Sequence, residues 1–417
     1  TTTAWGSKWW REVKAVADHV VRETRRDPRY IENMIPRQTP GNPYPFTCPN
    51  CVGRLTQEGV GRYHFLWDRN EPDVIRCKSC RHALPGDDYP ETGRLVCPRR
   101  DQTFTYYQTE AERTHPNDRS GKHAWTWVGK PASVSLSGIV RQQKVLFMVD
   151  AARSLGLAYR FDGKPEYAAT AASILDRMAD CCGNWLYHDH YGTFADCDPL
   201  YAAWHDRSLK LEWKRNAHAF AYGGSRYETG RVEDTMTEAK MLVSFFGCGR
   251  VTPSADTTLL DPVCLAYDLT HDSVDDTGRP IWTVDRREHV ERNLILEQIL
   301  TGEPFCGNLD KPTNVNNKAP YVYRPMANVA RTLGIADYAH TALAGWEAIR
   351  DRSFLPDGFS KETPAYTMMY ITGILPVPEI LHGFQWPKRF KKRQGTVNVF
   401  GRDPMMRRIL ETTIDAL

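Results

Sequence analysis

The sequence lacks a long hydrophobic run, an excess of basic charge and a signal-peptide pattern. No run of about eighteen apolar residues, the minimum for a membrane-spanning helix, occurs in its 417 residues. The 54 Lys and Arg residues are nearly balanced by 51 Asp and Glu residues, and the two signs are interspersed. Nucleic-acid-binding proteins usually carry a clear basic patch, so we predict neither a nucleic-acid nor a membrane partner. Because the first residues include no Met, we expect a processed or trimmed chain.

The cysteines also lack the pattern of a disulfide framework. Seven of the 11 cysteines are scattered along the chain, an odd number that defines no set of disulfide pairs. The other four form two CxxC pairs, Cys48 with Cys51 and Cys77 with Cys80, whose spacing is typical of a zinc ribbon. Four thiolates leave no open coordination position, so we predict a structural Zn²⁺ and place the chemistry elsewhere.

The sequence pattern divides the chain into three parts. Residues 1–40 contain an amphipathic helix at 9–26, which we expect to pack on the main body. Residues 41–131 carry both CxxC pairs, short strand patterns at 63–67 and 74–75, and then aromatic residues that alternate with polar ones. For this part we predict a zinc ribbon followed by strands and loops, with Trp125 and Trp127 in the wall of a cleft.

Residues 132–417 show helical periodicity throughout. Consecutive helices of similar length, separated by short turns, bury their apolar stripes best in a closed or curved array. We therefore predict a mainly α protein, an incomplete (α/α) toroid of helical hairpins with a small β-rich zinc-ribbon insertion near the N-terminus. Such a toroid leaves a groove that suits a polymeric substrate. The predicted helices lie at 135–158, 165–182, 232–246, 287–300, 315–333, 335–352 and 366–381.

Two segments of this helical part, Tyr159–Tyr167 and Asp357–Tyr366, carry a family resemblance. The second reads DGFSKETPAY and resembles the Asp-Gly, Glu-x-(Ser/Thr)-Pro-x-Tyr pattern of the heparinase II/III-like polysaccharide lyases, which are also similar to the toroid alginate lyases. The resemblance covers about residues 133–417. The sequence departs from the family in three ways: no spacer residue follows Glu362, Thr367 stands where His is common, and no C-terminal β-sandwich follows Leu417.

The resemblance implies a polysaccharide lyase that cleaves a uronic-acid polymer by β-elimination, with an anionic polysaccharide as partner. Enzymes that degrade such polymers act outside the cytoplasm, which implies a periplasmic or secreted location. The departure at the C-terminus predicts either a trimmed catalytic domain or a one-domain relative, and any catalytic residue from the β-sandwich is then missing from this chain. The oligomeric state and the identity of the uronate stay open.

Elimination requires that the uronate carboxylate be neutralised while a base removes the proton from C5. An Asn amide can donate to the carboxylate without being deprotonated, and the family Asn at a helix start is matched here by Asn316 and Asn317. A Tyr base needs a pKa below the value of about 10 for a free phenol. The resemblance assigns this role to Tyr366, and Tyr370, one turn along the same helix face, is the alternative.

Further side chains are predicted to line the substrate groove. Arg324 or Arg226 would assist the Asn amide, and His218 or His188 would act as base on the opposite epimer. Glu362 is a candidate substrate contact, although its place in a first helical turn favours a structural role.

Each of these roles has a structural alternative. Asn residues before a helix commonly cap it, so Asn316 and Asn317 are equally well explained as caps. Tyr366 and Tyr370 are alternatively core residues, His218 a buried core histidine, and His188 with His190 a surface pair.

Two other functions stay open on the sequence alone. An α/α-barrel glycoside hydrolase would use paired carboxylates, for which Asp234, Glu238, Asp357 and Glu362 are the candidates. A non-catalytic carbohydrate-binding protein would keep the groove but tolerate loss of Tyr366.

Overall fold

Helices account for more than half of the residues that the computed structural model describes. Those longer than two turns begin at a capping Ser or Thr or at a Pro in the first turn in most cases, as helix physics favours. The structure describes residues 3–41, 48–51, 65–96, 101–108, 110–114, 126–127, 130–131, 135–186, 188–189, 248–251, 256–300, 302–306, 308–401 and 403–415. The helices are α1 (Ala4–Arg26), α2 (Tyr30–Met34), α3 (Glu110–Thr114), α4 (Leu136–Asp162), α5 (Pro165–Cys182), α6 (Leu260–Thr270), α7 (Val284–Val290), α8 (Glu297–Leu300), α9 (Pro320–Leu333), α10 (Ala336–Ser353), α11 (Pro364–Ile374), α12 (Pro376–Ile380) and α13 (Pro404–Asp415).

The strands are short and antiparallel. The largest sheet has the order β1-β2-β3, with Phe65 opposite Cys77 and Ile75 opposite Leu84. Three two-stranded ladders pair β4 with β5, β6 with β7 and β8 with β9. The strands are β1 (Phe65–Asp68), β2 (Glu71–Cys77), β3 (Ala83–Leu84), β4 (Gly93–Val96), β5 (Thr103–Tyr106), β6 (Thr126–Trp127), β7 (Lys130–Pro131), β8 (His188–Asp189) and β9 (Cys248–Gly249).

The long helix α4 is the centre of the N-terminal half. It packs against α1, α5 and α6, and its residues Leu155 and Ala158 are fully buried. Gly156 permits the close approach to α6, because a Cβ there would lie 3.2 Å from the Cα of Ala266. In the second half, α9 is the central helix and packs against α6, α10, α11 and α12. One continuous core joins both halves.

Two helix connectors have the same backbone structure at a constant offset of 80 residues. One joins α6 to α7 and the other joins α10 to α11. Each contains a positive-φ glycine, Gly278 (82°) or Gly358 (96°), a conformation that glycine adopts without steric cost. Each ends at a Thr that precedes the next helix, Thr283 or Thr363. Three backbone hydrogen bonds match between the connectors. In the first connector, the N–H groups of Asp275, Gly278 and Ile281 donate to the carbonyls of Arg279, Asp275 and Ser273, respectively. In the second, the N–H groups of Leu355, Gly358 and Lys361 donate to the carbonyls of Phe359, Leu355 and Ser353.

The structure confirms the coarse prediction of a mainly helical chain with a small antiparallel sheet and a four-cysteine cluster near its N-terminus. The predicted 165–182 helix is found with those bounds. The 315–333 helix starts only at Pro320, because the preceding residues form a turn, and the 366–381 helix is divided into α11 and α12 before Pro376. The predicted 232–246 helix lies outside the described residues. None of the described helices is long and apolar enough to cross a membrane.

Candidate functional site

The four cysteines of the two CxxC pairs meet in space. Their sulfur atoms all lie within 4.8 Å of one another. The Sγ atoms of Cys48 and Cys80 are 3.7 Å apart, and those of Cys51 and Cys77 are 3.9 Å apart. A tetrahedral ion with metal–sulfur bonds of about 2.3 Å separates its ligands by about 3.8 Å. The cluster therefore fits a metal such as zinc, and the separations are too long for disulfides.

Tight backbone turns hold each pair of thiols. The N–H of Cys51 donates to the carbonyl of Cys48, and the N–H of Arg81 donates to that of Cys77. Arg81 has a φ of 62°, which closes the second turn. Burial raises the pKa of Cys51 to about 11. Burial also acts to raise the pKa of Cys80, but hydrogen bonds from Asn50 and the His82 backbone lower it to about 6, which provides a thiolate to capture a cation.

The cysteine cluster is attached to the helical body through α4. Buried Phe65, Ile75 and Leu84 of the sheet join the cysteines in one apolar cluster with the first turns of α4. Farther along, Trp67 packs on Phe147 of α4 with ring centroids 5.5 Å apart. A metal bound by the cysteines would thus hold the sheet in shape and keep it on the helix.

Residues 314–318, which we call the Asn turn, lead into α9. The side-chain oxygen of Asn316 accepts from the N–H of Lys318 at 2.9 Å, which closes a local turn. This bond does not cap α9, because the N-cap residue of α9 is Ala319 and no side chain caps that helix. The side chain of Asn317 points elsewhere, and its Nδ2 lies 3.7 Å from the sulfur of Met369 on α11. The two neighbouring asparagines therefore differ, and Asn317 has the amide that faces another helix.

Three hydroxyl groups hold this turn in place. Tyr323 donates to the carbonyl of Asn314 at 2.7 Å, while Tyr370 and Ser353 donate to the carbonyl of Val315 at 2.7 and 3.0 Å. These donors come from α9, α11 and α10. The backbone before Asn317 is consequently fixed from three sides, as a preorganised binding site requires.

Tyr370, the alternative base, is a buried residue. Only 2% of its surface is exposed, and its ring packs edge-on against Phe354. Its hydroxyl donates to the carbonyl of Val315. Burial raises its pKa, which disfavours the phenolate. This geometry favours a bracing role for Tyr370 over that of a base.

Tyr366 lies at the outer end of the helix face that meets the Asn turn. It is 44% exposed and stands in the first turn of α11. Positions three, four and seven residues later share its face, and these are Met369, Tyr370 and Gly373. Met369 contacts Asn317, and Gly373 approaches α9 so closely that a Cβ there would lie 2.3 Å from Pro320. One helix face thus carries an exposed phenol one turn from Met369, the residue that contacts the Asn317 amide.

Lys318 belongs to the same turn and was not selected from the sequence. Its ammonium group is partly buried, and this burial lowers its pKa to about 8. Perturbed ionisable groups cluster at functional sites. Burial depends on the packing of distant segments, so a Lys beside two Asn residues gave no signal in the sequence.

Arg324 is occupied by an ion pair. Its Nε and Nη2 lie 2.7 and 2.5 Å from a carboxylate oxygen of Asp261 on α6, and Asn328 donates to the other oxygen. Burial raises the pKa of Asp261, although Arg324 acts to lower it. The arrangement favours a link between α6 and α9 over an uronate contact.

The remaining predicted site residues give less information. Glu362 is exposed just before α11, consistent with the structural role favoured above, and Asp357 accepts from the N–H of Phe359 within its turn. For His188 and Trp127 the structure gives backbone positions only, in β8 and β6. Trp125, His190, His218, Arg226, Asp234 and Glu238 lie outside the described residues.

No protein-family model matches this chain, and no curated protein matches it either. The resemblance to the heparinase II/III-like lyases therefore stays a prediction from sequence motifs.

Proposed function

We propose that the protein is a polysaccharide lyase that cleaves a uronic-acid-containing polysaccharide by β-elimination. The observation that carries this proposal is the contact between Asn317 and Met369, which brings the two predicted catalytic segments together although they are 52 positions apart. The exposed Tyr366 is on the same helix face as Met369. A neutral amide donor and an accessible phenol are the two groups that elimination from a uronate needs.

The proposed reaction balances without a further reactant. The Asn317 amide donates to the uronate carboxylate, and the Lys318 ammonium offsets the charge that develops there. The phenolate of Tyr366 removes the proton from C5, the electron pair of that bond forms the C4–C5 double bond, and the C4–O4 bond breaks. The phenol then returns a proton to O4 if elimination is syn.

We further propose that the helical part is an incomplete (α/α) toroid. The support is the repeated connector at 273–283 and 353–363, which joins α6 to α7 and α10 to α11 with the same backbone hydrogen bonds. Repeated hairpins with equal connectors stack at a constant angle and so curve the array. The substrate groove would then be at the end where the Asn turn and Tyr366 lie.

We propose that the metal of the four-cysteine cluster is Zn²⁺ and that its role is structural. Four thiolates are a closed tetrahedral set, without a position for water or substrate. The location that fits this function is periplasmic or secreted, because polymeric uronates are not cytoplasmic substrates.

Replacement of the two asparagines separates catalysis from stabilisation of the turn. We expect Asn317→Ala to lower kcat on a uronate polymer by about 10²-fold, since it removes a donor to the developing charge. Asn316→Ala is the matched control, which loses the bond to Lys318 and about 1 kcal/mol of stability but keeps its activity within a few-fold. Steady-state kinetics measure kcat of both variants, and thermal unfolding measures their stability. Equal losses of activity in the two variants would contradict the assignment.

The pH profile tests the role of Lys318. Because its pKa is about 8, the ammonium is charged below that pH and neutral above it. We therefore expect kcat/KM to fall as the pH rises through about 8. Lys318→Arg should abolish this fall, since Arg stays protonated, whereas Lys361→Arg, at an exposed position, should retain it. A fall that persists unchanged in Lys318→Arg would exclude this group.

A further inference from the structure

A polar cavity of about 560 Å³ lies between the N-terminal helices, the zinc-ribbon sheet and α4, remote in sequence from the proposed active site. Its volume is in the range of small-molecule sites. We call it the N-terminal cavity. The lining residues that could bind a ligand include His19, Asp27, Tyr30, Asn33, Arg69 and Asn70.

Two nearly buried side chains in this lining have polar atoms without a partner. His19 is 5% exposed and Tyr30 is 9% exposed. Neither the Nε2 atom of His19 nor the hydroxyl of Tyr30 has a hydrogen-bond partner among the described residues. Buried polar groups are nearly always hydrogen-bonded, so two unpaired ones in one cavity indicate a binding site for a polar ligand.

The protonation state of His19 follows from its other nitrogen. The guanidinium of Arg22 lies 3.0 Å from Nδ1, and since Arg can only donate, Nδ1 accepts and Nε2 carries the proton. Burial lowers the pKa of His19, which keeps the ring neutral at pH 7. The cavity therefore presents an N–H donor from His19 beside the hydroxyl of Tyr30, whose ring centroid lies 6.5 Å from that of His19. Burial raises the pKa of Tyr30 to about 12, so this hydroxyl also keeps its proton.

Two charged groups of the lining, Asp27 and Arg69, form no ion pair within the described residues. Asp27 instead accepts from the N–H of Arg29 and from the side-chain amide of Asn33. Glu23 is paired with Arg22 and Arg26, and Lys144 is paired with Asp73. Arg69 is close enough to influence the pKa of both His19 and Tyr30, yet it forms no ion pair within the described part of the chain. One unpaired guanidinium with two neutral donors matches a single negative charge with two acceptor oxygens.

We propose that the N-terminal cavity binds a free sugar acid, held by its carboxylate on Arg69, Tyr30 and His19. A monocarboxylate matches the one unpaired cation, Arg69, whereas a phosphate dianion would need a second cation and would be repelled more strongly by the Asp27 carboxylate in the same lining. The other polar lining groups, among them Asn33, Asn70 and Asp27, suit the hydroxyl groups of a monosaccharide. This site rests on the cavity alone and does not depend on the proposed lyase activity.

The test is isothermal titration of the full chain with D-glucuronate and D-galacturonate, with D-glucose, acetate and inorganic phosphate as comparisons. We expect at least one sugar acid to bind and glucose to fail. Tyr30→Phe and Arg69→Gln should each weaken binding about tenfold, the effect of one lost hydrogen bond of about 1.4 kcal/mol. The matched control Arg331→Gln, on the exposed face of α9, should bind as the unaltered chain does.

Two further measurements distinguish a ligand site in the N-terminal cavity from a structural role of Tyr30 and from binding at the proposed active site. Without a ligand, Tyr30→Phe should unfold at the same temperature or higher, because its hydroxyl has no partner to lose among the described residues. Asn317→Ala should bind the sugar acid normally, because the cavity does not include the Asn turn. The proposal is overturned if neither sugar acid binds at millimolar concentration, if phosphate binds in preference, or if affinity is unchanged in both cavity variants.

Discussion

Replacing Cys77 by Ser should release the metal and lower the free energy of unfolding by on the order of 5 kcal/mol. Structural zinc contributes about 10–16 kcal/mol of apparent binding free energy in small domains. We expect a smaller loss here, because the main hydrophobic core contains none of the four cysteines. The loss should extend beyond the sheet, because Phe65, Ile75 and Leu84 share a cluster with the start of α4. Mass spectrometry measures the metal content, and urea unfolding measures the change in the free energy of unfolding.

Cys181→Ser is the matched control for this prediction. Cys181 is also buried, but its sulfur contacts the carbonyl of Ile35 and lies outside the metal cluster. It should retain one metal ion per chain and lose less than about 2 kcal/mol. If Cys77→Ser and Cys181→Ser had equal stability and equal metal content, the cluster would have no structural role.

Tyr366→Phe should reduce kcat for elimination by about 10³-fold with little change in KM. The substitution removes the single group proposed both to accept the C5 proton and to donate to the leaving oxygen, and general acid–base catalysis contributes about 10²–10⁴-fold. Stability should hardly change, because Tyr366 is 44% exposed. Initial rates of double-bond formation on a uronate polymer provide the measurement.

Tyr370→Phe gives the opposite pattern. It loses the hydrogen bond to Val315, which should cost about 0.5–1.5 kcal/mol of stability, while activity stays within about tenfold of the unaltered chain. A large loss of kcat in Tyr370→Phe with full activity in Tyr366→Phe would exchange the roles of the two tyrosines.

The helices and the cysteine cluster were predictable because their signals are local. A CxxC pattern occupies only four consecutive residues, and apolar periodicity is visible within one or two helical turns. Errors arose where a turn competes with the helix. The asparagines at 314–316 form side-chain-capped turns that delay α9 to Pro320, and Pro376 divides the last predicted helix because it lacks an N–H.

The candidate site was less predictable because its properties depend on distant partners. The sequence predicts that Arg324 or Arg226 assists the Asn amide, but Asp261, 63 positions away, pairs with Arg324. The pKa of Lys318 is lowered by burial alone, which no neighbouring residue reveals. The repeated connector was missed for a related reason: backbone hydrogen bonds repeat at 273–283 and 353–363, while few side chains do.

The most direct test of the proposed chemistry is to record the mass spectrum and the proton NMR spectrum of the products formed by the unaltered chain. It would be incubated with glycosaminoglycans, alginate, ulvan and glucuronan. We expect one of these polymers to yield oligosaccharides with a C4–C5 double bond, each lighter by one water than the corresponding hydrolysis product. Saturated products would contradict elimination and favour a hydrolase. An absence of cleavage on every polymer, with the metal bound and the chain folded, would contradict the proposed enzymatic function.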